Sequence, residues 1–143
     1  MTTDEDLLEA WPGVRIDRDN AAYYRGLLER RLLLNRCADC GAWHNPPRPL
    51  CPRCWSWAVA PTEVSGRGRI ALLTFLHQGP RRGGVDYTNG FPAAAIELEE
   101  QPGLRVSATI VDAPRDQIRL GLAVELAWQE HDGRPSPAFR PAS

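Results

Sequence analysis

Four cysteines, in the pairs Cys37-Ala38-Asp39-Cys40 and Cys51-Pro52-Arg53-Cys54, form the constellation in this sequence whose residue types and spacing best suit chemistry. Two Cys-x-x-Cys pairs can set four thiolates tetrahedrally around one zinc ion, and these four are every cysteine in the chain. Gly41 follows the first pair directly, where a residue free to take positive φ lets backbone amides turn back toward the sulfurs. The second pair is followed by Trp55 instead. The ten residues between the pairs are fewer than the roughly 15–20 of the usual two-pair site, so the spacing predicts a compact ribbon with a short hairpin between two knuckles.

Two disulfides, or a thioredoxin-like redox pair, would draw on the same residues. The amino terminus, Met1-Thr2-Thr3-Asp4-Glu5-Asp6, has neither the basic start nor the apolar run of a secretory signal, so the thiols are expected in a reducing cytoplasm. A redox site needs an exposed thiolate of low pKa opening a helix, whereas both pairs lie among Trp43, Pro46, Pro47, Pro49, Pro52 and Trp55, a setting for knuckles and turns. Structural zinc on Cys37, Cys40, Cys51 and Cys54 is therefore the favoured reading. Four thiolates leave zinc no open position, so such a metal holds structure and neither activates water nor polarises a carbonyl. His44 is not needed as a ligand and is expected as a partly buried ribbon residue.

Other catalytic patterns are missing. The sequence has no Gly-x-Ser-x-Gly elbow, no Gly-x-x-x-x-Gly-Lys phosphate loop and no spare cysteine. All 17 basic residues are arginine, so lysine Schiff-base chemistry is unavailable. His77 stands at the expected end of a strand with nothing evident to orient it, and His131 falls in the turn His131-Asp132-Gly133. Glu99 and Glu100 occupy an apparent turn, where solvation accounts for them.

The elements that would position the cysteines come next. At 143 residues the chain can bury one modest core plus a metal-stapled appendage. A net charge of −1 argues against a protein whose main work is wrapping nucleic acid, and no apolar stretch approaches a membrane span. Tyr23, Tyr24, Leu27 and Leu28 recur at helical spacing within 21–31, after a possible N-cap at Asp19 or Asn20, and a shorter helical turn is expected over 4–10. Strands are expected over 69–78, 91–99, 104–112 and 124–130, with a short edge at 138–140. The helical candidate at 116–120 is too short to be a crossover, so the sheet should be antiparallel and barrel-like, with the strand count of an OB barrel. The fold class is thus mainly β with an N-terminal helix: a helical leader over 1–31, a rubredoxin-like zinc ribbon over 32–60 and a five-stranded OB-fold domain over 61–143.

Two segments stand out. Ala71-Leu72-Leu73-Thr74-Phe75-Leu76 is apolar on both faces, which a barrel strand needs only where its outside is also covered. The loop over 79–90 carries adjacent Arg81 and Arg82, able to grip phosphate in a bidentate manner or simply to stand solvated at a loop tip.

Several local strings, taken in order, carry a resemblance over nearly the whole chain. They are Asp19-Asn20-Ala21, Leu33-Leu34-Asn35-Arg36-Cys37, Gly66-Arg67-Gly68-Arg69-Ile70, Gly121-Leu122-Ala123-Val124-Glu125 and Pro137-Ala138-Phe139-Arg140-Pro141. With the four-cysteine ribbon, they resemble the DUF35 family of zinc-ribbon OB-fold proteins. The resemblance implies an accessory, non-catalytic subunit that docks on a thiolase-like (SCP2-type) partner and helps bind or channel acyl-CoA. The hetero-oligomeric assembly would perform thiolysis, condensation or retro-aldol cleavage, including that of steroid side-chain intermediates. A CoA thioester would be the ligand of the complex, with Arg81, Arg82 and Arg105 as candidates to meet its phosphates. Fused relatives carry a hydratase-like domain before the ribbon, whereas this chain starts almost directly at the helix, so a hotdog-fold hydratase is expected as a separate polypeptide. The rival readings are a single-stranded nucleic-acid binder and a self-sufficient aldolase or hydratase. The first is disfavoured because the second and third barrel strands carry alanines and glutamates, with Phe91 as their aromatic residue.

Overall fold

The computed structural model describes residues 2–81 and 85–143, which separate into two compact units divided between Val64 and Ser65. In the first, α1 (Asp4–Ala10) begins at a capping box. The Thr3 hydroxyl accepts from the Asp6 amide at 3.1 Å and the Asp6 carboxylate accepts from the Thr3 amide at 2.7 Å, satisfying two otherwise orphaned donors. α2 (Ala21–Leu28) buries Leu27 and is tied to α1 by an Arg25–Asp4 ion pair of 2.6 Å. This helix stops three residues before the expected Arg31 because the chain turns back over Gly26. The Arg31 amide donates to the Gly26 carbonyl at 2.8 Å, and a Cβ at Gly26 would sit 2.7 Å from the Arg31 carbonyl oxygen.

The ribbon follows as β1 (Leu33–Cys37), β2 (Trp43–His44) and β3 (Val59–Glu63), an antiparallel sheet in the order β2-β1-β3. Leu7, Leu27, Leu32 and Leu34 are buried in this unit. Cys37, Ala42 and Cys51 form a separate buried cluster against Val59.

The second unit is a curled five-stranded sheet: β4 (Arg67–Leu76), β5 (Phe91–Leu98), β6 (Arg105–Ala108), β7 (Ala123–His131) and β8 (Arg134–Pro141), in the order β6-β5-β4-β7-β8. After β6 the chain meets β8 in parallel. Phe139 donates to the Thr109 carbonyl at 3.0 Å and Val111 donates to Phe139 at 2.8 Å, which curls the sheet toward closure as in an OB barrel. Ile70, Ile96, Leu98, Val124 and Phe139 are fully enclosed. The segment between β6 and β7 holds one short 3-10 turn, Arg115–Gln117.

Two differences from the expected strands have physical causes. The predicted strand over 104–112 is interrupted after Ala108, where the chain leaves β5 and bridges to β8 instead. The last strand is eight residues long, not a short edge. Its Pro135, Pro137 and Pro141 face Glu130, Trp128 and Val124 of β7, positions that share one parity of the register. Counting from the two-residue Asp132-Gly133 turn, these are non-hydrogen-bonded positions, so the missing N–H groups point away from β7 and the ladder stays whole.

β4 carries a bulge between Ile70 and Leu72. Before it, Arg67 and Arg69 point outward and Ile70 inward; beyond it the parity reverses, and Leu72, Thr74 and Leu76 take the outer face. Leu72 is 58% exposed and Leu76 40%. Of the apolar segment predicted to want cover, Leu72 and Leu76 are therefore exposed on the outer face of the barrel unit.

Candidate metal centre

The two Cys-x-x-Cys knuckles repeat one backbone pattern. In the first, Gly41 donates to the Cys37 carbonyl and Cys37 to the Ala42 carbonyl, both at 2.9 Å; in the second, Trp55 donates to Cys51 and Cys51 to Ser56, again both at 2.9 Å. This pattern needs a left-handed residue after each pair. Gly41 supplies it at φ 76°, and Trp55 does so at φ 63° against the cost of its Cβ, with its ring 75% exposed.

The geometry brings all four sulfurs within 4.8 Å of one another. Cys37 and Cys54 stand 3.6 Å apart and Cys40 and Cys51 3.7 Å, far beyond a bonded S–S distance of ~2.05 Å, and all four cysteines are free. A tetrahedron with zinc–sulfur bonds of ~2.3 Å has edges of about 3.8 Å, so the residues present fit a tetrathiolate zinc centre. Cys37 and Cys51 are buried while Cys40 and Cys54 lie at the surface.

Backbone amides prepare these sulfurs for negative charge. The Cys40 amide, aided by that of Asp39, draws the Cys37 thiol down to about 7. The Cys54 amide, aided by that of Arg53, lowers Cys51 in the same way. At Cys54 the Ser56 amide pulls downward but is outweighed by desolvation and the three neighbouring thiols, which push it up to about 12. Sulfurs this close cannot all ionise without a cation among them, and a divalent metal supplies that charge.

His44 is buried on β2 and is not part of the converging sulfur group. Its two ring nitrogens have no hydrogen-bond partner among the described residues. Arg36 braces the first knuckle: its Nε donates to the Gly41 carbonyl at 3.2 Å and its guanidinium lies 5.3 Å from the Trp43 ring centre.

Of the arginines considered for coenzyme contact, Arg81 and Arg105 are among the described residues, and they stand on different parts of the barrel unit. Arg81 is exposed in the segment joining β4 to β5, and Arg82 lies outside the described residues. Arg105 stands on β6 against Glu97, 3.3 Å away, six residues along β5 from Phe91, where that segment rejoins the sheet. At ~3.3 Å per residue this separates Arg105 from the loop end by about 20 Å. Arg105 belongs to a cross-strand row of ion pairs that also includes Arg67–Glu99 and Arg140–Glu125, both at 3.1 Å. Arg67 holds the Glu99 carboxyl below its usual range, and Glu100 accepts from the Ser65 amide at 2.6 Å.

Residues not singled out by sequence reasoning shape the other end of the barrel. Arg115 donates to the Asn89 carbonyl at 2.9 Å and lies 4.5 Å from the Phe75 ring centre, fastening the β4–β5 segment. The Tyr87 hydroxyl donates to the Pro80 carbonyl at 2.9 Å. A cleft of about 440 Å³ opens here, lined by Leu76, Tyr87, Phe91, Gln129, His131 and Pro137 among others. Arg115 and Tyr87 are 26 and 7 residues from the groups they bind, and no spacing rule links them in sequence. Among the described residues no helix is long and apolar enough to cross a membrane.

Comparison with known proteins agrees with this architecture. Residues 25–59 match the ChsH2 rubredoxin-like zinc ribbon domain, and residues 61–129 match the ChsH2 C-terminal OB-fold domain. A DUF35 domain-containing scaffold protein of Pyrococcus furiosus is 31% identical over 108 residues, 76% of each chain. A probable enoyl-CoA hydratase alpha subunit of Thermomonospora curvata is 34% identical over 132 residues, 92% of this chain, which spans only 40% of that relative's length. Among solved structures, a chain of the Ltp2-ChsH2(DUF35) aldolase superposes with a TM-score of 0.79 at 34% identity, covering 91% of this chain and 99% of that one.

Proposed function

Since this chain belongs to the DUF35 family of zinc-ribbon OB-fold proteins, we propose that it is an accessory subunit that docks on a thiolase-like partner and helps that partner handle an acyl-CoA. The likeness to a chain of an aldolase with a second named component, running over nearly the full length of both chains, is the observation that carries this reading. Carbon–carbon bond cleavage of the retro-aldol type is the reaction proposed for the assembly, with the acyl chain of a steroid side-chain intermediate as one candidate substrate. The catalytic residues would come from the partner. A hotdog-fold hydratase is proposed as a further neighbour, in keeping with the name of the Thermomonospora curvata relative. Such an assembly would work in the cytoplasm.

Support from the chain itself is of two kinds. Its metal-ligand set is complete with four thiolates, which suits a structural ion and not one that takes a substrate oxygen. The bulge in β4 leaves Leu72 and Leu76 outward beside Ala95 and Phe91 of β5, an apolar surface of the kind that marks a protein contact. Arg81, with Arg82 next to it in sequence, is proposed to meet the phosphates of CoA at the loop end of the barrel. Arg105 would have to exchange Glu97 for phosphate to take part.

The test is reconstitution. The chain is co-expressed with a thiolase-like candidate from the same host, the molar mass of the purified species is measured, and retro-aldol turnover of an acyl-CoA is followed for each component and for the mixture. A stable hetero-oligomer that turns over, with no turnover by this chain alone, is the expected result. Turnover by the isolated chain, or failure of the two to associate, overturns the assignment.

A further inference from the structure

The acidic side chain inside the first knuckle is placed where electrostatics alone disfavours it. Asp39 lies between Cys37 and Cys40, and a carboxylate there repels the thiolates a metal needs. Its side chain accepts a hydrogen bond from the Ser56 hydroxyl, 17 residues away in the second knuckle. Both residues also touch the sulfurs through their backbones: the Asp39 amide points to Cys37 and the Ser56 amide to Cys54, the pair of sulfurs 3.6 Å apart. Two more bonds fix the bridge. The Ala58 amide donates to the Ser56 hydroxyl oxygen at 3.0 Å, and the Ala38 amide donates to the Ala58 carbonyl at 2.8 Å. The result is a closed loop of contacts from Cys37 through Asp39 and Ser56 to Cys54, made wholly of protein atoms.

We propose that Asp39 and Ser56 are the positioning pair of this metal centre, their side-chain hydrogen bond holding the two knuckles at the sulfur spacing zinc requires and so setting the affinity of the chain for zinc. A clasp that does not include the ion holds its geometry before the ion arrives, and lowers the ordering that binding must otherwise supply. Outer-shell partners of this kind are worth about 10–100-fold in metal affinity, and the exposure of this bond places it at the lower end.

Zinc affinity of the full chain is measured by competition with a chromophoric chelator, and the cobalt-substituted protein reports ligand geometry through its thiolate-to-metal and d–d absorption. Ser56→Ala and Asp39→Ala should each weaken zinc by about tenfold, and the double variant should be no weaker than either single, because both remove one interaction. Asp39→Asn and Ser56→Thr retain an acceptor and a donor and should stay within about threefold of the parent. The proposal is overturned if Ser56→Ala binds zinc within twofold of the parent, if the two alanine variants add independently, or if Asp39→Asn, which keeps the acceptor, is as weak as Asp39→Ala.

Discussion

In the ribbon the side chains that occupy the place of a core include the metal ligands themselves: Cys37 and Cys51 are buried with Ala42, and Val59 packs against them. The barrel encloses Ile70, Ile96, Leu98, Val124 and Phe139 by ordinary apolar burial. Each of those side chains contributes about 1.5–3 kcal/mol when taken out of water, a driving force the small cysteine cluster cannot match. One small chain thus holds two solutions to the same problem of cohesion, and they should fail under different insults.

The largest separation between them should come from the metal ligands. Cys51→Ser is expected to abolish stoichiometric zinc binding and unfold the ribbon, a loss on the order of 10 kcal/mol of binding-coupled folding, while the barrel keeps its β-sheet signal; metal analysis paired with circular dichroism checks both halves. The reciprocal change is Phe139→Ala, which empties the centre of the barrel and should cost about 3–5 kcal/mol in denaturant unfolding of that unit. Zinc should remain bound in it at native stoichiometry.

A smaller and opposite effect is expected at the second knuckle. Trp55→Gly removes a Cβ from a left-handed position whose ring is mostly in solvent, and should stabilise the ribbon by about 1 kcal/mol. Thermal unfolding of the zinc-loaded chain measures it. If that substitution instead weakens association with the partner, the exposed ring is a contact residue and the strain is offset by docking.

The smallest effect concerns the barrel's outer ion pairs. Arg67 holds the Glu99 carboxyl below its ordinary value, so the pair contributes above the unfolded carboxyl's value and is lost as pH falls through the lower folded one. Glu99→Gln should therefore lower barrel stability slightly at neutral pH and remove the equally slight decline below about pH 4.5, so that parent and variant converge in acid. An identical acid profile for parent and variant would show that solvent screens the pair completely.

What could be read from residues alone follows the same division. Cysteine spacing announces the ribbon because metal coordination demands particular residue types at fixed separations, and alternation over 104–108 announces β6 because Leu104 and Val106 are buried, whereas the interruption after Ala108 leaves no mark in the pattern. The bulge in β4 is hidden because an apolar run has no alternation whose break could be seen, so the outward turn of Leu72 and Leu76 needs coordinates. The full length of β8 is hidden by its prolines, which read as strand breakers until the register shows their nitrogens turned from β7. The left-handed Trp55 runs against the usual residue preference for that conformation. The Asp39–Ser56 clasp joins positions related only through the fold around the sulfurs.

Amide hydrogen exchange, measured on the full chain before and after zinc is withdrawn by a strong chelator, tests the division most directly. Protection at the knuckle amides of Cys37, Gly41, Cys51 and Trp55 should collapse on withdrawal, while Ile70, Ile96, Val124 and Phe139 keep theirs. Loss of protection in both units together, or in neither, would contradict a ribbon held by metal beside a barrel held by burial.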